Sequence, residues 1–192
     1  MQTSGNDDVF LVAAGGQTVR FSEDLVRAMG RSTAGVRGMK LREGDEVVSC
    51  AVTREDADIL IVTEAGYGKR TKLDKYPVKG RGTMGVKGIK LIGRKGATVV
   101  TARMVTLDDE IIIVSNKGQT IRTAARDIST QGRDASGVRI MNVADDETVV
   151  ALAPVFVPAE ESDKPAPAPT LPVEDVADAA VDGDAPTEGD AE

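Results

Sequence analysis

The chain has 192 residues, 41% of them hydrophobic, with a formal net charge of −7, 3% aromatics, no Trp, no His and one Cys. The missing His removes His-based acid–base catalysis, Ser-His-Asp triads and His metal sites together, and the lone Cys50 closes no internal disulfide and no Cys zinc site. No apolar run approaches the ~20 residues of a membrane helix and no signal-peptide pattern opens the chain, so a cytoplasmic protein is expected.

The first element, VFLVAAGGQTVRF (9–21), reads as a β-hairpin: short apolar runs on either side of a glycine turn. Asp7 and Asp8 before it fit turn chemistry better than metal binding. SEDLVRAMG (22–30) holds at most a short helical turn. GRSTAGVRGMKL (30–41) follows, and then a β-branched run, EVVSCAV (46–52). Cys50 inside that run reads as buried packing.

The same three elements then recur. ILIVTEAGYGKRT (59–71) repeats the hairpin, GRGTMGVKGIKL (80–91) the glycine-rich element and TVVTARMV (98–105) the β-branched run. A third copy runs IIIVSNKGQTIRT (111–123), GRDASGVRIMNV (132–143) and TVVALAPV (148–155), again with paired acids, Asp108 and Asp109, before its hairpin. Gly16, Gly66 and Gly118 align at spacings of 50 and 52, as do Gly35, Gly85 and Gly137. About four strands in roughly 50 residues is the size of a propeller blade, and such blades bury their faces only against one another. The expected fold is all-β: a partial β-propeller or β-pinwheel of three four-stranded repeats at 1–45 (with an incomplete start), 46–97 and 98–157, followed by a disordered acidic C-terminal tail at 158–192. Three blades do not close a typical propeller of ~4–8, so missing upstream blades and an open edge are expected.

The tail is rich in Pro, Ala, Asp and Glu and lacks the apolar surface to offset ordering. It holds 11 of the 31 acids and a single base, Lys164, leaving 20 acids and 23 bases in residues 1–157. A mildly basic body is thus joined to a strongly acidic tail. The tail reads either as a solubilising segment or as an acidic mimic that competes for the basic body.

The order hairpin, G-x-x-x-R, then G-R-x-x-x-G-V-R/K resembles the C-terminal domain of DNA gyrase A over about residues 5–157, most closely in 64–91 and 121–143. The resemblance implies the last three blades of a six-bladed propeller whose blades exchange a strand and whose basic rim wraps double-stranded DNA, and it fits an actinobacterial source. It also implies that the chain is no enzyme on its own. The DNA-cleaving tyrosine would lie in upstream domains of gyrase A, so neither Tyr67 nor Tyr76 matches it. The ATP site would lie on gyrase B, so ATP and Mg2+ serve the assembled topoisomerase elsewhere and this chain carries no cofactor. The signature box Q-R-R-G-G-K-G is absent; 79–85 is a degenerate form, which puts full wrapping by this chain in doubt. The alternatives are a propeller that contacts an acidic protein, or an inactive fragment of a split protein.

The residues support DNA independently. Each copy sets bases at glycine-flanked loops, and eight fall between Tyr67 and Lys90 against one acid, Asp74. The candidate DNA-binding residues are Lys69, Arg70, Lys72, Lys75, Lys79, Arg81, Lys87 and Lys90 in the middle copy, Arg31 and Arg37 in the first, and Arg133 and Arg139 in the third. Recurring once per blade, they would draw a basic stripe suited to phosphates along bent duplex, and the adjacent glycines would let backbone N–H groups approach a phosphate. Scarce aromatics disfavour single strands. Arg20, Arg70 and Arg122 share one repeat position and read equally as blade packing or as DNA contacts. Gly80–Gly85 matches G-x-G-x-x-G, but the following Lys87–Leu91 reads as strand, against a dinucleotide site.

Overall fold

The computed structural model describes residues 2–92 and 97–155, all β-strand, loop and short 3-10 turn. The acidic tail lies outside the described residues. Each repeat opens with the expected hairpin. β1 (Asp8–Ala13) pairs antiparallel with β2 (Gln17–Ser22), and β3 (Val47–Val52) pairs with the other side of β1. The second sheet repeats this with β4 (Asp58–Thr63), β5 (Tyr67–Lys72) and an inner strand; the short β6 (Val86–Lys87) lies between them in sequence. That inner strand is β7 (Val99–Val105). In the third, β8 (Glu110–Ser115) pairs with β9 (Thr120–Ala124), the short β10 (Val138–Arg139) follows, and β11 (Val149–Val155) pairs with β8.

The sheets cut the chain differently from the expected segments. β3 and β7 open the segments at 46 and 98, yet each completes the sheet of the hairpin before it. The fourth strands are exchanged. β6 comes from the second repeat but pairs with β2 of the first sheet, and β10 from the third repeat pairs with β5. The orders are β3-β1-β2-β6, β10-β5-β4-β7 and β11-β8-β9, so the third sheet has three strands among the described residues. Strands of two residues carry no detectable period, which is why the sequence shows four strands per repeat but not where the fourth one goes.

The turns follow the expected chemistry. Gly16, Gly66 and Gly118 sit at φ +81°, +77° and +85°, where a side chain is disfavoured. Each hairpin ends in a single 3-10 turn, Glu23–Leu25, Leu73–Lys75 and Ala125–Asp127.

The core lies between blades. Strand alternation turns Phe10 and Val12 of β1 toward the second blade, where they pack with Ile59, Ile61, Leu73, Tyr76 and Ile89. The opposite face of β4, Leu60 and Val62, packs with Ile111, Ile113, Ile128 and Met141 of the third. Phe10 meets Tyr76 edge to face at 4.9 Å. Cys50 departs from expectation: it is exposed, because β3 is the end strand of its sheet and pairs only with β1.

Candidate nucleic-acid interface

The exchanged strands form the outer edges of the first two sheets, and they carry basic side chains. Lys87 on β6 and Arg139 on β10 are both exposed, and Arg37 stands at the same repeat position in the first copy. Lys79 and Lys90 flank β6 and are also exposed. Their backbones are fixed: the Lys79 amide donates to Arg20 O at 2.8 Å and the Lys90 amide to Ala135 O at 3.1 Å. Lys72 ends β5 and Lys75 ends the 3-10 turn beyond it, both exposed.

The charges on this edge are held loosely. Lys87 lies 3.7 Å from Asp134 and Lys75 lies 3.2 Å from the adjacent Asp74, both in solvent. Exposed pairs of this kind contribute ~1 kcal/mol or less, so they open readily to a polyanion. Arg139 donates to Tyr67 Oη at 2.8 Å and to Asn142 Oδ1 at 3.3 Å, and its guanidinium stands over the Tyr67 ring, 5.3 Å from the centroid.

Other candidates are taken up by the fold. Lys69 is wholly buried, and its ammonium donates to Gly132 O and, at 2.8 Å, to Arg133 O. Burial pushes its pKa down to about 8, Asp134 opposes that shift and Arg133 adds to it. Arg70 is buried too, bonding Asp58 at 2.6 Å and Ile128 O at 2.9 Å in the next repeat. Arg81 donates to Leu25 O at 2.9 Å and Arg37 O at 3.2 Å, and Arg133 to Lys87 O at 3.4 Å, so both reach back across a blade junction. Arg31 occupies their position in the first repeat and is exposed.

The sequence signal for that bridging role is the G-R dipeptide repeated at 30–31, 80–81 and 132–133. A planar guanidinium spans two carbonyls well. The nearby glycines likewise serve the fold. The Gly88 amide is turned away from any phosphate and donates to Gly16 O at 2.8 Å. Residues 80–85 run as turn and bridge with no helix after them, which leaves the G-x-G-x-x-G match without its structural context.

Among the described residues no group of three or more His, Cys, Asp or Glu could hold a metal ion, and no helix is long and apolar enough to cross a membrane. The surface best arranged for a ligand is the outer edge, where cations recur once per blade on the exchanged strand and its flanks.

A family model described as DNA gyrase C-terminal domain, β-propeller, matches residues 7–54, 57–105 and 109–155. The chain is 44% identical over 161 residues to the DNA gyrase A protein of Escherichia coli K12, covering 84% of this chain and 18% of that protein. It is 40% identical over 152 residues to the gyrase A protein of Mycolicibacterium smegmatis, with 78% and 18% covered. The gyrase A protein of Staphylococcus epidermidis is 39% identical over 201 residues, with 99% and 22% covered. The chain therefore spans about a fifth of the length of these curated relatives. A solved DNA gyrase A C-terminal domain superposes with a TM-score of 0.74 at 35% identity, covering 80% of this chain and 52% of that one. The C-terminal domain of a DNA topoisomerase IV gives 0.75 at 27% identity, with 80% and 48% covered.

Proposed function

The chain belongs to the DNA gyrase C-terminal-domain β-propeller family, and on that footing we propose that it binds duplex DNA along its outer edge and wraps it as a module of gyrase. The observation that carries this reading is the recurrence of exposed cations at the exchanged strand, Lys87 and Arg139, with Lys79 and Lys90 beside the first. Positive charge repeated at each blade of a turning stack suits the phosphates of a bent duplex, with no need to read bases. Binding of this kind is set by backbone contact and deformability. Lys72, Lys75, Arg31 and Arg37 extend the stripe. Lys69 and Arg70 are left out because they are buried, and Arg81 and Arg133 act by holding the loops that carry the stripe.

In the assembled enzyme, wrapping would present a neighbouring DNA segment with fixed handedness and so support ATP-dependent negative supercoiling. In this reading the cleavage tyrosine, the ATP site and Mg2+ belong to the rest of gyrase A and to gyrase B, which are the protein partners, and the module acts in the cytoplasm on the nucleoid. The test is a salt titration of duplex binding by the chain and by a Lys79→Ala/Lys87→Ala/Lys90→Ala variant. Each lost phosphate contact removes about 0.9 from the slope of log K against log salt, so the slope should fall by about 3, equally for unrelated duplex sequences. An unchanged slope would overturn the assigned edge.

A further inference from the structure

The two blade junctions carry different side chains at equivalent places on the outer edge. In the first, Lys87 of β6 lies opposite Gln17 of β2, and Lys90 follows three residues on. In the second, Arg139 of β10 lies opposite Tyr67 of β5, and Asn142 follows three residues on. The first junction thus offers two point charges on flexible stems. The second offers one planar guanidinium beside an aromatic ring and an amide.

The backbone beneath the second set is fixed on both sides. Gly66, at φ +77°, lies so near the third repeat that a Cβ would stand 2.2 Å from Met141 O. Its carbonyl accepts from the Ile140 and Met141 amides at 2.9 and 3.1 Å, and Met141 is buried. The Tyr67 amide donates to Thr63 Oγ1 at 3.2 Å, and that hydroxyl donates to Tyr67 O at 3.0 Å. None of these bonds uses the Tyr67 side chain. Above them, Arg139 donates through Nη2 to Tyr67 Oη and through Nη1 to Asn142 Oδ1, with its guanidinium over the ring. Tyr67 is half-buried, while Arg139 and Asn142 are exposed. Lys87 lies 3.7 Å from the Asp134 carboxylate, whereas the phenol and the amide that hold Arg139 are uncharged.

We infer that Arg139, Tyr67 and Asn142 form a preorganised seat for one phosphodiester of a duplex, with Tyr67 as the positioning residue. The seat rests on the duplex-binding reading above and deepens it. Lys87 and Lys90 attract the DNA backbone, and Arg139 fixes where it lies. A guanidinium has five N–H donors; two are spent on Tyr67 and Asn142, and three remain for phosphate oxygens. The Tyr67 hydroxyl accepts from Arg139 and keeps its own hydrogen to donate. Asn142 accepts through Oδ1 and keeps its NH2 group. Because the partners of Arg139 are neutral, its whole charge is left to the phosphate. Holding the side chain before DNA arrives also removes part of the entropy cost of ordering it on binding.

Duplex binding by variants of the 192-residue chain decides it. Tyr67→Phe keeps the ring and removes the hydroxyl. It should weaken binding about threefold or more, with the slope of log K against log salt unchanged because no charge is lost. Arg139→Lys keeps the charge and loses the fork, and should weaken binding about tenfold, again at unchanged slope. Lys87→Arg should leave affinity within about twofold, since that site asks only for charge. Added to Arg139→Lys, Tyr67→Phe should cost nothing further. A second measurement needs no DNA: 15N relaxation of the Arg139 Nε–H should report a more ordered side chain than that of Arg37, exposed at the same repeat position, and Tyr67→Phe should abolish the difference. Equal order for the two arginines, or wild-type affinity in Tyr67→Phe, overturns the seat. A loss in Tyr67→Phe that is just as large on the Arg139→Lys background shows that Tyr67 acts through the fold, and overturns its positioning role. Failure of the seat leaves wild-type binding and its salt slope intact, whereas a wild-type chain that binds no duplex overturns the wrapping reading itself.

Discussion

Arg20, Arg70 and Arg122 occupy one repeat position, and what they do depends on the blade beyond them. Arg20 bonds Asp8 at 2.7 Å and reaches the Leu73 and Tyr76 carbonyls of the second repeat at 3.4 Å. Arg70 does the same toward the third repeat, with its side chain only 7% exposed and Asp58 at 14%. Arg122 pairs with Glu110 at side-chain exposures of 58% and 34% and reaches no other blade among the described residues. Breaking a buried pair strands its partner, so Arg70→Ala should lower the unfolding free energy by about 3 kcal/mol. Arg122→Ala should cost ~1 kcal/mol or less. Urea unfolding of the two variants checks the contrast. Lys69 adds a pH signature. Its folded pKa, about 8, lies below the unfolded value of 10.5, so between them the unfolded chain binds more protons and stability rises with pH. Burial of Tyr76 raises its pKa to about 12, which acts oppositely but only above pH 10. From pH 8 to 10 wild type should therefore gain up to about 2 kcal/mol relative to Lys69→Met, measured by chemical unfolding at each pH. A flat difference would contradict the burial of that ammonium.

At the scale of the element, the junction is a glycine turn pressed against a carbonyl. Gly85→Ala sets a methyl 1.9 Å from Thr18 O at a positive φ, two penalties at once, and should cost several kcal/mol in unfolding experiments. Gly35→Ala meets no described atom within 4 Å. It should cost only the ~1–2 kcal/mol of the left-handed conformation. The hairpins were legible because their apolar runs and glycine turns are local signals. Strand exchange was not, because β6 and β10 are two residues each and their partners lie 68 or more positions away in sequence: Thr18 Oγ1 donates to Val86 O. Charge type misled at Lys69 for a related reason. The carbonyls that hold it, Gly132 and Arg133, come from the next repeat, and no property of the residue itself announces them. The cations on the outer edge were legible, since a side chain on an exposed loop keeps its own charge in solvent.

For the molecule as a whole, charge is divided along the chain. Residues 1–157 hold 23 bases and 20 acids, while 158–192 hold one base and 11 acids. The net charge of −7 therefore hides a body of +3 joined to a strong source of negative potential. Of the two readings of the tail, the competing one has a distinct signature, since a tethered polyanion that reached the basic edge would act there at raised effective concentration. On the competing reading, removing residues 159–192 should tighten duplex binding at low salt. The gain should shrink as salt rises, because at 1 M the screening length is only about 3 Å. Binding isotherms of the full and shortened chains at several salt concentrations check this. Equal affinities at low salt would show that the acids only solubilise the chain. A gain that persisted at high salt would show that the tail acts by contact rather than by charge.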